Sequence, residues 1–515
     1  MIGGEMKVLL DTNIVIHREA SRILNKDIGI LFRWLEKGGY NKCVHPVTIE
    51  EIKKNSNKET ADTLAIKLES YTTLKTVAPM SPEVSRASIG IDVNENDRND
   101  TILLNEVFCG RVEYLITEDK KMHKKASILG IEDRVFKIDS FLEKVVSENP
   151  GLVDYKVLSV TKKYFGEIDL SDAFFDSFKE DYPGFENWFN QKSEETAYVT
   201  YNKGKILSFL YLKIETQEEN YYNISPAFTP TKRLKIGTFK VMSNGVRLGE
   251  RFLKIIFDNA IQQKVNEIYV TIFDKRDEQL RLISLLEEWG FGFHGLKQNA
   301  NGEERVYVRD FRPAFNPDNP KLTFPFISRS ARVFMIPIYP DYHTDLLPDS
   351  ILMTESVNDF VENEPHRNAI SKVYISRSIR RDINRGDVII FYRTAAAGRN
   401  AYYSSVITTI AIAEGKIEQI LDENDFILKC RKRSVFDDEG LKRFWNFNPK
   451  YRPFIINFLY SHSFPTGKRV NRQRLLDLGI LTGQENEIRG LKQITQDQFN
   501  QILTETNTNE SLIVD

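Results

Sequence analysis

The chain has no surplus of either charge: 71 Lys+Arg stand against 73 Asp+Glu over 515 residues, a formal net charge of -2. That balance excludes a protein that holds nucleic acid by bulk electrostatics alone. Cysteine is scarce. Cys43, Cys109 and Cys430 are far apart and form no CxxC pair, which argues against a disulfide framework and a thiolate zinc site. Long apolar runs are also missing. Nothing approaches the roughly 20 residues that cross a bilayer, and the start MIGGEMKVLL lacks the basic-then-apolar layout of a secretory signal. The expectation is a cytoplasmic protein with no membrane partner. Internal repeats and low-complexity tracts are absent. What is present, 41% hydrophobic and 28% charged residues, is the composition of an ordinary globular protein. At ~100–200 residues per domain, the length predicts about three domains.

Two seams divide the chain, one at Ser147–Gly151 and one across Arg312–Pro320, where Pro313, Pro317 and Pro320 exclude regular helix and read as a linker. The predicted domains are 1–148, 149–313 and 321–515. In the first, apolar runs (Lys7–Leu10, Tyr114–Thr117) alternate with helical stretches (about Ile28–Lys37, Glu50–Lys54 and beyond, Thr101–Val107), the pattern of a parallel α/β sheet. The second is α+β. It has strands at Tyr198–Tyr201, Lys205–Lys213, Leu234–Val241 and Glu267–Phe273, and helices at about Gly249–Lys264 and Asp277–Trp289. The third has short β runs at Arg332–Ile338, Val388–Arg393, Ala401–Ala413 and Asp425–Arg431, read as a small barrel with appended helices.

The sharpest local signal is Val8-Leu9-Leu10-Asp11-Thr12-Asn13, an apolar strand that ends in a carboxylate. In open parallel sheets the ligand crevice lies outside the carboxyl ends of the strands. Tyr114–Ile116 followed by Thr117-Glu118-Asp119 repeats the arrangement, and Glu51 and Asp100 stand at predicted helix beginnings. Four acids converging on one crevice repel unless cations neutralise them. Oxygen-only donors suit Mg²⁺ or Mn²⁺, and such an ion can promote phosphodiester hydrolysis. This series, in order and approximate spacing, resembles a PIN domain. The resemblance implies a metal-dependent ribonuclease, of a kind common as toxins of toxin–antitoxin modules, with Asp11, Glu51, Asp100 and Asp119 as metal-holding catalytic acids and Thr117 as the hydroxyl before the last of them. Glu50 competes with Glu51, and Asp97 with Asp100; the preferred members are those directly followed by the apolar helical run. His17, His45 and His123 read as surface or packing residues.

The second block presents a strand (Leu234–Val241), a turn (Ser243-Asn244-Gly245-Val246-Arg247-Leu248-Gly249) and a long helix. A turn leading into a helix N-terminus offers free N–H groups and a positive dipole end to a pyrophosphate. With the next strand and a final helix running into Trp289-Gly290-Phe291, the order resembles a GNAT N-acetyltransferase. The resemblance implies acetyl-CoA at Val241, Gly245, Arg247 and Gly249. The turn departs from the family pattern, with Asn244 and Arg247 at its first and fourth places, and the usual general-acid tyrosine falls on Leu286.

In the third block Lys372, Arg377, Arg380, Arg381, Arg385, Arg393 and Arg399 outnumber Asp382 and Asp387, with Tyr392, Tyr402 and Tyr403 close by. Arginine forks match phosphate oxygens and tyrosine faces stack on unpaired bases, so Arg377, Arg380, Arg381, Arg385 and Arg393 are the expected RNA contacts. The stretch Arg385-Gly386-Asp387-Val388 through Arg393 resembles the PUA-like group, which includes ASCH and EVE domains. Together the readings predict an endoribonuclease acting on structured RNA, with tRNA favoured, an antitoxin as partner and a homodimer as assembly. The alternatives are an acetyltransferase acting on tRNA or protein amines, and a non-catalytic RNA-binding regulator.

Overall fold

In the computed structural model, the described residues are 6–19, 31–32, 35–36, 38–55, 68, 71–138, 140–141, 144–145, 160–202, 204–242, 248–350, 369–397, 400–431, 433–484 and 487–514. The chain divides into two units, residues 1–154 and 155–515. It is a mixed α/β protein with a parallel-sheet N-terminal part and further mixed sheets.

In the first unit β1 (Lys7–Leu10), α1 (Thr12–Glu19), β2 (Asn41–Val44), α2 (Pro46–Asn55), β3 (Thr72–Thr73), α3 (Pro82–Ser88), α4 (Glu95–Phe108), β4 (Tyr114–Ile116), α5 (Lys120–Leu129) and β5 (Val135–Phe136) follow one another. The strands form one sheet in the order β3-β2-β1-β4-β5, parallel throughout. Val8, Leu9 and Leu10 are all buried because both faces of the sheet are covered: Val8 and Leu10 pack with Ile14, Ile52 and Phe141, and Leu9 packs with Leu103, Leu104 and Met122 on the other side. The chain order reverses on either side of β1, so the carboxyl ends of β1 and β4 share a crevice.

The second unit holds two larger sheets. The first comprises β6 (Thr161–Tyr164), β7 (Thr196–Asn202), β8 (Lys205–Glu215), β9 (Ile224–Ser225), β10 (Arg233–Val241), β11 (Glu267–Ile272), β12 (Gly292–Asn299) and β13 (Gly302–Asp310). Their order is β6-β7-β8-β10-β11-β13-β12-β9. Helices α6 (Asp176–Asp181) and α7 (Phe185–Asn190) precede β7, α8 (Leu248–Gln263) links β10 to β11, and α9 (Asp277–Glu288) follows β11. The only parallel pair among the described strands of this sheet, β10 with β11, is joined from Arg233↔Glu267 to Ile236↔Val270. Beyond Ile236 the register of β10 against β8 shifts, and β10 runs on to Val241 without β11.

The remaining elements are β14 (Ile327–Ser328), β15 (Val333–Ile338), α10 (Pro340–Leu346), β16 (Ser371–Ser376), β17 (Val388–Arg393), α11 (Ala401–Ser404), β18 (Val406–Ile417), α12 (Glu423–Cys430), α13 (Asp438–Asn446), β19 (Phe454–Ser463), α14 (Arg472–Asp477), β20 (Lys492–Ile494), α15 (Gln496–Glu505) and β21 (Ile513–Val514). Six of them make a mixed sheet, β16-β19-β18-β17-β15-β20, and β14 pairs with β21. Where a small barrel was expected, the described strands give this sheet, and no pairing joins its outer strands β16 and β20.

Three sequence expectations change. Of residues 425–431, expected as strand, 425–430 lie in helix α12 and Arg431 caps its end: the Asp422 side chain accepts from Asp425 N at its N-terminus, and Phe426, Ile427 and Cys430 fall on one buried helical face. The expected run from Ala401 opens as the short helix α11 under an Asn400 cap before β18 begins. The proline-rich segment 312–320 is not a spacer between separate cores. Phe311 before it and Phe324 after it belong to one apolar core with Leu234, Phe252, Met335, Ile390 and Leu459 from both large sheets.

Candidate functional site

Asp11 follows β1 directly and is 2% exposed. Its backbone N donates to Ile116 O at 3.1 Å, so the ends of β1 and β4 are tied at the site. Thr117 Oγ1 donates to Asp11 Oδ2 at 2.7 Å and accepts from Asp119 N at 3.0 Å. One hydroxyl thus orients two of the four acids. Asp119 is the N-cap of α5, with Oδ1 accepting from Met122 N at 2.8 Å. Glu51 is reached from both sides: Thr12 Oγ1 donates to Oε2 at 2.5 Å and Asn99 Nδ2 donates to Oε1 at 2.7 Å.

Glu51 and Asp100 stand in the second turns of α2 and α4, not at the helix starts expected. Pro46 opens α2, as a residue with fixed φ does at the first helical position, and Asn94 caps α4 in a capping box with Asp97. That box separates the competing acids. Asp97 accepts from Val93 N at 2.8 Å and Lys121 Nζ at 2.7 Å, and these bonds, Lys121 foremost, hold its carboxyl down at about 2. Asp100, one turn on, is instead pushed up to about 8 by burial and the charges of Asp11, Asp119 and Glu51, with Lys125 opposing. Burial, then Asp119 and Glu51, raise Asp11 to about 6 against the pull of the Thr117 hydroxyl. Glu50 is exposed.

Among the described residues, no three acid, histidine or cysteine side chains already stand in a metal-holding arrangement. The chemistry of the donors nevertheless fits a hard divalent ion: they are all oxygens, and their charge is so poorly compensated that two of them retain protons well above the ordinary carboxylate range. The histidines are packing residues where they are described. His45 is buried against Glu106 at 3.4 Å, and His123 Nε2 meets Thr117 O at 2.9 Å. The side chain of His17 lies outside the described residues.

In the second unit Val241 ends β10 half-buried, and Gly245 and Arg247 lie outside the described residues. Gly249 sits in the first turn of α8, where a Cβ would come within 2.8 Å of Leu285 Cδ2. Its missing side chain therefore serves the approach of α9 to α8. At the bulge of β10, a Cβ on Gly237 would meet Tyr211 Cδ1 at 2.6 Å. Leu286, at the place of the family's tyrosine, is fully buried in the core.

Residues 7–121 match the PIN domain family model. The comparison with curated proteins gives no match. Among solved structures, the chain is similar to Ard1 from Thermoplasma volcanium (11% identity, TM-score 0.23, covering 30% of this chain and 98% of that one). It is also similar to an acyl-CoA N-acyltransferase from Pseudomonas aeruginosa (14%, 0.21, 30% and 99%) and to a GNAT-family acetyltransferase from Streptococcus agalactiae (10%, 0.21, 30% and 98%).

Outside the PIN region, the arginines expected to hold RNA are largely engaged within the protein. Arg380 forks onto Asp382 at 2.6 and 2.9 Å. Arg381 donates to Arg452 O at 2.6 Å, and Arg385 donates to Glu414 O at 2.8 Å and Asp318 O at 2.9 Å. Arg393, Lys372 and Tyr392 are buried. Guanidinium groups satisfy carbonyls as readily as phosphates, so a basic run does not by itself make a basic surface. Arg377 alone of the five is exposed without a polar partner among the described residues, lying over Phe444 and Phe447.

In the PIN region, the sequence reading missed Thr12, Asn99 and Lys125. Lys125 is fully buried, donating to Asp92 Oδ1 at 2.9 Å and Thr101 Oγ1 at 2.7 Å, and so ties α5 to α4 beside Asp100. Its position next to Ala126 on the buried face of α5 was the available signal.

Proposed function

We propose that the PIN region is the active centre of a divalent-metal-dependent endoribonuclease. The supporting observation is the convergence of Asp11, Glu51, Asp100 and Asp119, brought from β1, α2, α4 and the end of β4 into range of one another's charge. Asp11, Glu51, Asp100 and Asp119 would hold Mg²⁺ or Mn²⁺, which supplies charge neutralisation at a phosphodiester and a more acidic water. Thr117 fixes the carboxylate of Asp11 and the backbone of Asp119, and Thr12 and Asn99 orient Glu51. Lys125 keeps α4 and α5, and with them Asp100 and Asp119, at a set separation. Structured RNA, transfer RNA first, is the substrate class. The toxin-like setting, an antitoxin partner and a homodimer belong to this reading. The test is cleavage of total RNA by the purified protein with Mn²⁺. It should be abolished by EDTA and by Asp11→Asn; an intact RNA pool, or cleavage unchanged by Asp11→Asn, refutes it.

A second activity, acyl transfer from acetyl-CoA, has its own supporting observation. Strands β10 and β11 part after Ile236 and Val270, which leaves a backbone edge for the amide groups of the cofactor's extended arm ahead of the turn into α8. Calorimetry with acetyl-CoA decides it, and absence of heat at high protein concentration removes this activity.

A further inference from the structure

The end of the C-terminal sheet carries a surface that the basic run did not reveal. Strand β16 ends at Ser376 opposite Phe454, the first residue of β19. Arg377, leaving β16, therefore sits beside Arg452, entering β19. Arg377 lies 4.5 Å over the ring of Phe444 and 4.1 Å over that of Phe447. Arg452 lies 4.5 Å over Trp445, and its carbonyl accepts from Arg381. Arg443 is exposed one turn before Phe447, and Lys450 is exposed in the turn that joins α13 to β19. Arg377, Arg443 and Lys450 are exposed and have no carboxylate partner among the described residues, whereas Arg381 and Arg452 are spent on the carbonyls of Arg452 and Trp445. The acids around them are taken: Asp382 by Arg380, Asp438 by Arg431 and Glu439 by Lys442. Between these cations stand large apolar groups open to solvent: Phe447 is 71%, Tyr451 60% and Ile379 86% exposed.

We infer that this arginine-and-aromatic surface binds single-stranded RNA, with Phe447 and Tyr451 stacking on unpaired bases and Arg377, Arg443 and Lys450 meeting the backbone. Three exposed cations without carboxylate partners favour an anionic ligand that offers several charges in a row. Exposed rings interleaved with them favour unpaired bases, each of which presents a π-face, over the closed stack of a duplex. A guanidinium already held 4.1 Å over the Phe447 ring fixes that ring as a platform on which a base can stack.

The assignment does not require the cleavage reading, since binding is measured in EDTA. Fluorescence anisotropy of the full chain with a labelled oligouridine, titrated from about 50 to about 200 mM salt, should give an affinity falling with a log–log slope no steeper than about -2, at ~0.7 per phosphate neutralised. Phe447→Ala should weaken binding about tenfold with the slope unchanged, because stacking is lost and no charge is. Arg377→Ala and Lys450→Ala should each flatten the slope by about 0.7. All three side chains are at the surface, so the variants fold. The inference is overturned by absence of saturable binding, by variants that bind like the wild type, by a duplex RNA binding as tightly as the single strand, or by polyglutamate competing as well as oligouridine, which would indicate an acidic protein partner.

Discussion

Replacing Asp11 by asparagine should stabilise the metal-free PIN region at alkaline pH while removing its response to metal. The carboxyl is buried, and burial together with Asp119 and Glu51 raises it from 3.8 to about 6. An acid raised in the folded state is favourable in its protonated form. That stability is fully present below the unfolded value of 3.8 and lost as pH rises through about 6. Above that point the folded protein carries a cost of about 3 kcal/mol at ~1.36 kcal/mol per unit. Asparagine keeps an oxygen to accept from Thr117 Oγ1 and carries no charge. Hydrogen exchange of the β1 and β4 amides in EDTA reads this region alone. The wild type should lose the Asp11 share of its protection between about pH 4 and pH 6. The variant should lose much less and exceed the wild type at pH 8 by roughly a hundredfold. Mn²⁺ should restore protection to the wild type by mass action and not to the variant. A variant that is less protected than the wild type at pH 8, or that still gains the full Mn²⁺ protection, would refute the reasoning that these acids are held together at an electrostatic cost.

Other expectations follow from single contacts. Asp97→Asn loses the ion pair with Lys121 but should leave Mn²⁺-dependent cleavage standing, whereas Asp100→Asn should abolish it; parallel cleavage assays compare the two. Lys125→Met leaves Asp92 and Thr101 facing an apolar side chain and should cost about 3 kcal/mol in the exchange protection of α4 and α5. Gly249→Ala brings a methyl against Leu285 Cδ2, the end of a side chain that can turn aside, and gains helix propensity, so urea unfolding of the second unit should shift by less than about 1 kcal/mol. Glu250 Oε2 accepts from Ile370 N at 2.8 Å and Ser371 N at 3.1 Å. Glu250→Ala should therefore cost about 2 kcal/mol, with tryptophan fluorescence from Trp289 and Trp445 reporting both large sheets melting in one transition.

Local pattern carried much of this protein. An unbroken apolar run ending in Asp11 suffices for a doubly covered strand with a carboxylate at its end, because side-chain period and burial are properties of the run itself. The alternation of strands and helices in the first unit, the long helix after β10 and the strand at Val388–Arg393 were legible for the same reason. Caps were legible in principle: Asn94 with Asp97 is a local box, and weighing it would have separated Asp97 from Asp100. The helix at Glu423–Cys430 was missed because a short apolar run has no distinctive period until its cap is counted.

Tertiary structure decided what depends on residues far apart in the chain. That Glu51 meets Asn99, that Lys125 is enclosed by Asp92 and Thr101, and that Asp11 and Asp119 raise Asp100 are matters of which helices pack across the sheet, and no spacing encodes them. The same holds for the arginines. Sequence determined that Arg380, Arg381 and Arg385 exist close together, but whether a guanidinium faces solvent or a carbonyl depends on where Asp382, Arg452 and Glu414 come to lie. The single core spanning Phe311 and Phe324 likewise arises only when two sheets bury their faces against each other, since an apolar residue specifies that it must be covered and not by what.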